Sequence, residues 1–393
     1  MGNTISRRKL LRTGALLAGG LPFAGSLLEK VQAAPSVTGT AFSHHAEAGW
    51  TERDIALRSA EPLKARLFAN ENPFGPSEAA KKAIVETLPV SYQYPFRTTD
   101  DLTGRISTFE KIDKGNIVLA AGSSPLLRAA ALAYLRPGCN VVSGDPTYAD
   151  LPSSAERVGA RWVKVPLTKD FALDLDAMEK AVDENTVLVY ICNPNNPTGT
   201  VVDTSKLRAF CERVSKKAAV FLDEAYNDYL PDPQGATLIQ MAVSGSNIIV
   251  ARTFSKVYGF AGLRCGYVVT QPDIIQKLQL YTEASFSLST TTLHAAIAAY
   301  QDRPFVDGVL KKTVASKEFL YSVLKKKGYP YVPSVANFVI FPINMEGKQF
   351  ADEMMKRSVG VRFWKFNSQD WCRISIGRMD EMEAFAAAFN EIG

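Results

Sequence analysis

Between residues 117 and 269 the chain alternates short apolar runs with segments of helical period. The runs fall at 117–121, 140–143, 162–165, 187–192, 219–222, 248–251 and 265–269, and amphipathic stretches near 125–135, after Thr147, and at 175–182 and 204–217 lie between them. Most of these runs show no apolar-polar alternation, so the strands they predict are covered on both faces, as in a mostly parallel sheet wrapped by helices. Helices are predicted next at 273–283, 290–301 and 305–327, then a strand at 336–341, a helix at 348–356, a strand at 359–363 and a final helix at 380–391. This is an α/β pattern in which residues 91–302 form a large domain, and 303–393 with part of 34–90 form a smaller α+β domain. Upstream, Ser77 is placed to cap a helix at 78–88, residues 100–111 read as helical, and 35–66 lack a period and read as an extended arm.

Charge changes this picture only at the N-terminus. The formal net charge of the 393 residues is +5, but residues 1–33 hold Arg7, Arg8, Lys9, Arg12 and Lys30 against Glu29. The remainder is close to neutral, which leaves no basic surface to suggest a nucleic-acid partner. Ser6-Arg7-Arg8-Lys9-Leu10-Leu11-Arg12, a weakly apolar run at 13–28 and Val31-Gln32-Ala33-Ala34 follow the order of a twin-arginine signal peptide. Cleavage after Ala33 or Ala34 and export to the periplasm or another extracytoplasmic space are the expectation. His44 and His45 read as solvated arm residues. The five cysteines are scattered, without C-x-x-C spacing, and read as reduced, buried thiols, so no metal site is expected.

Polar chemistry collects where the predicted strands end, the place where open α/β sheets bind ligands. Gly122-Ser123-Ser124 precedes a helix and offers amides and hydroxyls to a phosphate. Tyr148 follows the next strand and has the flat face to stack on an aromatic ring. Asn193-Pro194-Asn195-Asn196-Pro197-Thr198-Gly199 is a rigid turn that presents Asn196 as an amide donor. Asp223 ends an apolar strand, where a carboxylate needs a positive partner, and Tyr226 lies three residues on. Lys256 sits among apolar neighbours, which disfavours its charged form and makes the amine a nucleophile toward an aldehyde. Thr253, Ser255 and Arg264 surround it with hydroxyls and a guanidinium suited to a phosphate. Lysine and phosphate grip together suggest pyridoxal phosphate. Arg373, inside the apolar stretch 371–377, calls for a carboxylate partner.

Asn196-Pro-Thr-Gly, Asp223-x-x-Tyr226, Ser255-Lys256, Arg264 and Arg373, in this order, resemble the class I/II, fold-type I aminotransferases. Asn70-Glu-Asn-Pro-Phe-Gly and Leu263-Arg-Cys-Gly-Tyr are similar to their histidinol-phosphate aminotransferase branch. The resemblance implies a large domain with a mostly parallel sheet of the seven-stranded type and a smaller α+β domain. It also implies a pyridoxal-phosphate enzyme exchanging an amino group between an L-amino acid, or a histidinol-phosphate-like amine, and a 2-oxo acid. Lys256 would carry the cofactor and then move the proton. Asp223 would pair with the pyridine nitrogen, Asn196 and Tyr226 with the phenolic oxygen, and Tyr148 would stack on the ring. Ser123, Ser124, Thr253, Ser255 and Arg264 would hold the phosphate. Tyr94 resembles a tyrosine that reaches the neighbouring subunit's phosphate, which implies a homodimer with shared sites. Arg373 would bind the substrate α-carboxylate and Arg362 a second anion, with Asn72 nearby where some relatives have tyrosine. The leader argues for an amino donor or acceptor outside histidine synthesis. A lyase, cyclase or decarboxylase on the same fold, and a non-catalytic binding protein, are the alternative readings.

Overall fold

The computed structural model describes residues 50–59, 61–300 and 302–392; the leader, its cleavage site and the histidine pair lie outside them. Twelve strands are present among the described residues: β1 (Ala65–Arg66), β2 (Ile117–Ala120), β3 (Asn140–Asp145), β4 (Arg161–Pro166), β5 (Thr186–Cys192), β6 (Ala219–Asp223), β7 (Ile248–Thr253), β8 (Gly266–Val269), β9 (Phe338–Pro342), β10 (Val359–Gly360), β11 (Arg362–Phe366) and β12 (Gln369–Ser375).

Seven of them form one sheet in the order β2-β8-β7-β6-β5-β3-β4, where β8 runs antiparallel to both neighbours and every other pair is parallel. Successive residues of its strands point to opposite faces, and both faces are apolar. Val142, Val189, Val220 and Val250 join Leu207, Phe210 and Val214 of the helix Thr204–Val214 in one core. Their neighbours Val141, Leu188, Phe221 and Ile249 join Leu126, Leu127 and Ala130 of the helix Ser124–Tyr134 in another. This is why the strands read as continuous apolar runs. Burying each such side chain stabilises the fold by about 1.5–3 kcal/mol.

A second, antiparallel sheet has the order β11-β12-β9. One face packs Val339, Phe341, Cys372 and Ile374 against Phe350 and against Phe385 and Phe389 of the helix Met379–Ile392. The other face carries Ile340, Trp364 and Trp371 together with Arg362 and Arg373. β1 pairs in parallel with β10, which joins residues 65–66 to residues 359–360.

The local structure departs from expectation at three places. Residues 52–58 are a helix, not part of an extended arm: the Thr51 hydroxyl accepts from the Asp54 amide, Asp54 accepts in return from the Thr51 amide, and Ile55 is fully buried. Seven residues are too few for their period to stand out in a polar segment. The strand expected at 359–363 is interrupted at Val361, so that β10 and β11 serve different sheets. After Thr147 the helix is a single turn, Ser154–Arg157. All five cysteines are buried thiols. No helix among the described residues is long and apolar enough to cross a membrane.

Candidate active site

Lys256 stands in the turn between β7 and β8. Phe254, Val257 and Phe260 anchor that turn in the core, and Gly259, at a φ of 76°, approaches the Gly75 backbone so closely that a Cβ would lie 2.5 Å from its carbonyl. The lysine amine projects into a cavity at the carboxyl ends of β5, β6 and β7. It donates to the Asn70 carbonyl at 3.3 Å and sits 5.3 Å from the centre of the Tyr226 ring. Desolvation in the cavity, with the nearby positive charge of Arg373 in support, lowers its pKa from 10.5 to about 8. A large fraction of such amines is neutral at mildly alkaline pH, as attack on an aldehyde requires.

Asp223, at the end of β6, is 3% exposed. Tyr190 donates its hydroxyl to Oδ2 at 3.0 Å and the Ala225 amide donates to Oδ1 at 3.1 Å. Burial nevertheless raises the carboxyl pKa from 3.8 to about 6, against the lowering effect of these hydrogen bonds and of the Lys256 charge. Among the described residues no cation lies at ion-pairing distance from the carboxylate. Tyr226 accepts from the Asn70 amide at 3.0 Å, and burial raises its phenol pKa. Asn196 is oriented by Arg373, whose NH1 donates to its Oδ1 at 2.8 Å and so turns its amide nitrogen elsewhere.

At another wall of the same cavity lie Ser123, Ser124, Thr253, Ser255 and Arg264. Ser123 precedes the helix Ser124–Tyr134 without capping it through its own hydroxyl, which leaves that hydroxyl available. Thr253 donates to the Ser255 hydroxyl at 3.0 Å, and Arg264 is held by the Ala261 and Ala121 carbonyls at 3.0 and 3.2 Å. Gly122, at a φ of 84°, leaves the space in which the Arg264 guanidinium lies, since a Cβ there would collide with NH2. Four hydroxyls, one helix N-terminus and one guanidinium make a cradle for a dianion. Tyr148 lines the cavity as well.

Arg373 is 1% exposed. Besides Asn196 it donates to the Phe68 carbonyl at 2.5 Å, while its Nε has no hydrogen-bond partner. Burial lowers its pKa to about 10, so it remains a cation at neutral pH. Arg362 lies directly across from it on β11. Asn72, expected beside the substrate, donates its amide to the Val257 carbonyl at 2.7 Å and so braces the lysine turn from behind. Tyr94 lies outside its own chain's cavity and is 78% exposed.

Several residues of the site were not among the candidates read from the sequence, although Asn70 and Glu71 stand in a motif noted there. Asn70 bonds to Lys256, Tyr226, Ser375 and Asn337 at once. Tyr190 sits inside an apolar run and reads as core, although its hydroxyl serves Asp223. Glu52 and Glu71 bring carboxylates to the cavity; Glu71 lies in the turn-rich segment 70–75.

A buried carboxylate, a desolvated amine and a hydroxyl-rich anion cradle in one cavity fit the ring nitrogen, aldehyde and phosphate of pyridoxal phosphate, a buried guanidinium beside them is left for a substrate anion, and with the seven-stranded sheet they define a fold-type I pyridoxal-phosphate enzyme. Residues 64–389 match the aminotransferase class I and II family. The chain is 35% identical over 329 residues to a histidinol-phosphate aminotransferase of Moorella thermoacetica, covering 83% of this chain and 85% of the relative. It is 34% identical over 340 residues to histidinol-phosphate aminotransferase 1 of Cupriavidus pinatubonensis, covering 86% and 89%. The structure of histidinol-phosphate aminotransferase from Sinorhizobium meliloti, in complex with pyridoxal 5'-phosphate, superposes with a TM-score of 0.81 at 27% identity over 90% of this chain and 98% of that one. The chain belongs to the class I and II aminotransferase family and is a pyridoxal-phosphate-dependent enzyme of amino-group transfer.

Proposed function

We propose that the enzyme moves an amino group from an L-amino acid, or a histidinol-phosphate-like amine, to a 2-oxo acid, as a homodimer outside the cytoplasm. The observation that carries the reaction is the Lys256 amine, lowered to about 8, in one cavity with the orphaned carboxylate of Asp223 and the buried guanidinium of Arg373.

Pyridoxal phosphate supplies an electron sink for the substrate's α-carbon. Asp223 would hold its pyridine nitrogen, Asn196 and Tyr226 its phenolic oxygen, and the cradle around Arg264 its phosphate. Arg373 binds the substrate carboxylate, and its fixed place on β12 directs the α-carbon toward Lys256. Lys256 then takes the α-proton at Nζ and returns it on the other side of the exchange. Asn70 holds the lysine amine in that position through its carbonyl and keeps Tyr226 oriented through its amide.

The Lys256→Ala protein tests this reading. Loss of the visible absorbance of lysine-bound cofactor and a fall in turnover of at least about 10²–10⁴-fold are expected. Retention of both would sink it.

Export rests on the leader at 1–33, with the cofactor loaded in the cytoplasm and the folded protein carried by the twin-arginine machinery. The dimer is supported by the exposed rings of Tyr94, Phe96 and Phe286, which contact one another at 5.8 and 5.9 Å and leave an apolar surface for a second subunit.

A further inference from the structure

Arg362 and Arg373 face each other across β11 and β12, and both guanidinium groups lie over the Trp364 ring, at 4.7 and 4.6 Å from its centre. They are 4% and 1% exposed, and each has an Nε without a hydrogen-bond partner. Two buried like charges in contact with one ring need two counter-ions. Their surroundings treat them differently. Arg373 meets only neutral acceptors, from Asn196 and Phe68, and remains open to an anion from outside. Arg362 is already ion-paired with the carboxylate of Glu52.

Glu52 is held in place for this contact. The capping box of Thr51 and Asp54 starts its helix, and Ile55, one turn on along the same face, is fully buried. Trp50 packs edge-on against Phe363 at 6.1 Å, and Arg58 lies 3.3 Å over the Trp50 ring. Glu52 also lines the active-site cavity, so its negative charge is presented to whatever enters. Burial, and then the charge of Arg373, lowers the Arg362 pKa.

We propose that Glu52 determines specificity by occupying the second anion subsite at Arg362 with the protein's own carboxylate. The site then takes amino donors and 2-oxo acids with a single carboxylate, which binds Arg373, and discriminates against those with a second anionic group, whether carboxylate or phosphate monoester. A dianionic substrate has to displace Glu52 from Arg362 or lie beside its charge in a low-dielectric cavity, where like charges repel more strongly than in water. This inference rests on the amino-transfer reading of the same cavity.

The test compares kcat/KM of the cofactor-loaded wild type, Glu52→Gln and Glu52→Asp for L-leucine, L-phenylalanine, L-glutamate and O-phospho-L-serine, with succinate and acetate titrated against the cofactor's absorbance. In Glu52→Gln the ratio of dianionic to monocarboxylic donors is expected to rise by about tenfold or more through KM, with succinate binding tightened in parallel and acetate unchanged. Glu52→Asp keeps the charge and should keep the wild-type preference. A wild type that already prefers dianionic donors, or a ratio that Glu52→Gln leaves unmoved, overturns the proposal. If no donor reacts with any of the three proteins, the amino-transfer reading fails by itself, and the succinate titration still decides the role of Glu52.

Discussion

Asp223 and Lys256 are two buried ionisable groups whose folded pKa values move toward each other, to about 6 and about 8. The aspartate value lies above that of an unfolded chain, so the cofactor-free fold holds this proton more tightly. Its contribution to stability is complete below about pH 4 and is lost as pH rises through 6, a cost on the order of 3 kcal/mol once ionised. Thermal unfolding of the cofactor-free wild type and Asp223→Asn between pH 4 and 8 should show a decline in the wild type that is markedly smaller in the variant. Equal declines would place the titration elsewhere. Bound cofactor with a protonated ring nitrogen supplies the missing cation, so its stabilising effect should be greater at pH 7.5 than at pH 5. The chemistry of these two residues was legible because a charge at the end of an apolar run has few bland explanations. The roles of Asn70 and Tyr190 were not, because they depend on partners 156 and 33 residues away: the motif around Asn70 did not say what it touches, and Tyr190 sits inside an apolar run.

Elements carry the next level. β6 and β7 end side by side and deliver Asp223 and Thr253 to the same edge, and the turn after β7 carries Lys256 into the cavity and brings Arg264 beside Gly122. Gly122→Ala puts a Cβ where the Arg264 guanidinium lies and forces an L-residue to a φ of 84°, which costs about 1–2 kcal/mol before any clash. Weaker cofactor retention, by about tenfold or more, with the fold intact by circular dichroism, is the expected result, measured as the cofactor Kd. An unchanged Kd would show that Arg264 has another route to the phosphate. The strands of the large sheet were readable because both faces are covered, so period and composition agreed. The helix Glu52–Arg58 and the break at Val361 were not, since a short polar helix and a one-residue interruption are set by tertiary pairing: the β1–β10 contact and the docking of Trp50.

For the whole molecule, compartment and assembly meet in one experiment. Expressed in a host with twin-arginine transport, the protein should be recovered from the periplasmic fraction with cofactor bound, shortened at its N-terminus, and sedimenting as a dimer. Full-length protein confined to the cytosol would overturn export, and a cofactor-loaded, active monomer would overturn the shared-site dimer. Fold class and cofactor were both legible in the order of the motifs. The substrate was not, because the partners that distinguish the two arginines lie far away in the sequence, Glu52 being 310 residues from Arg362 and Asn196 177 from Arg373.

The pairing of β1 with β10, together with the bonds from Asn70 to Asn337 and Ser375, has a consequence for how the protein is made. A nascent chain still threaded through the ribosome before Ser375 has emerged already displays Lys256, Asp223 and the phosphate cradle. It still has no Arg373 and lacks the Ser375 hydroxyl that accepts from the Asn70 amide, so the finished site depends on nearly the whole length of the chain.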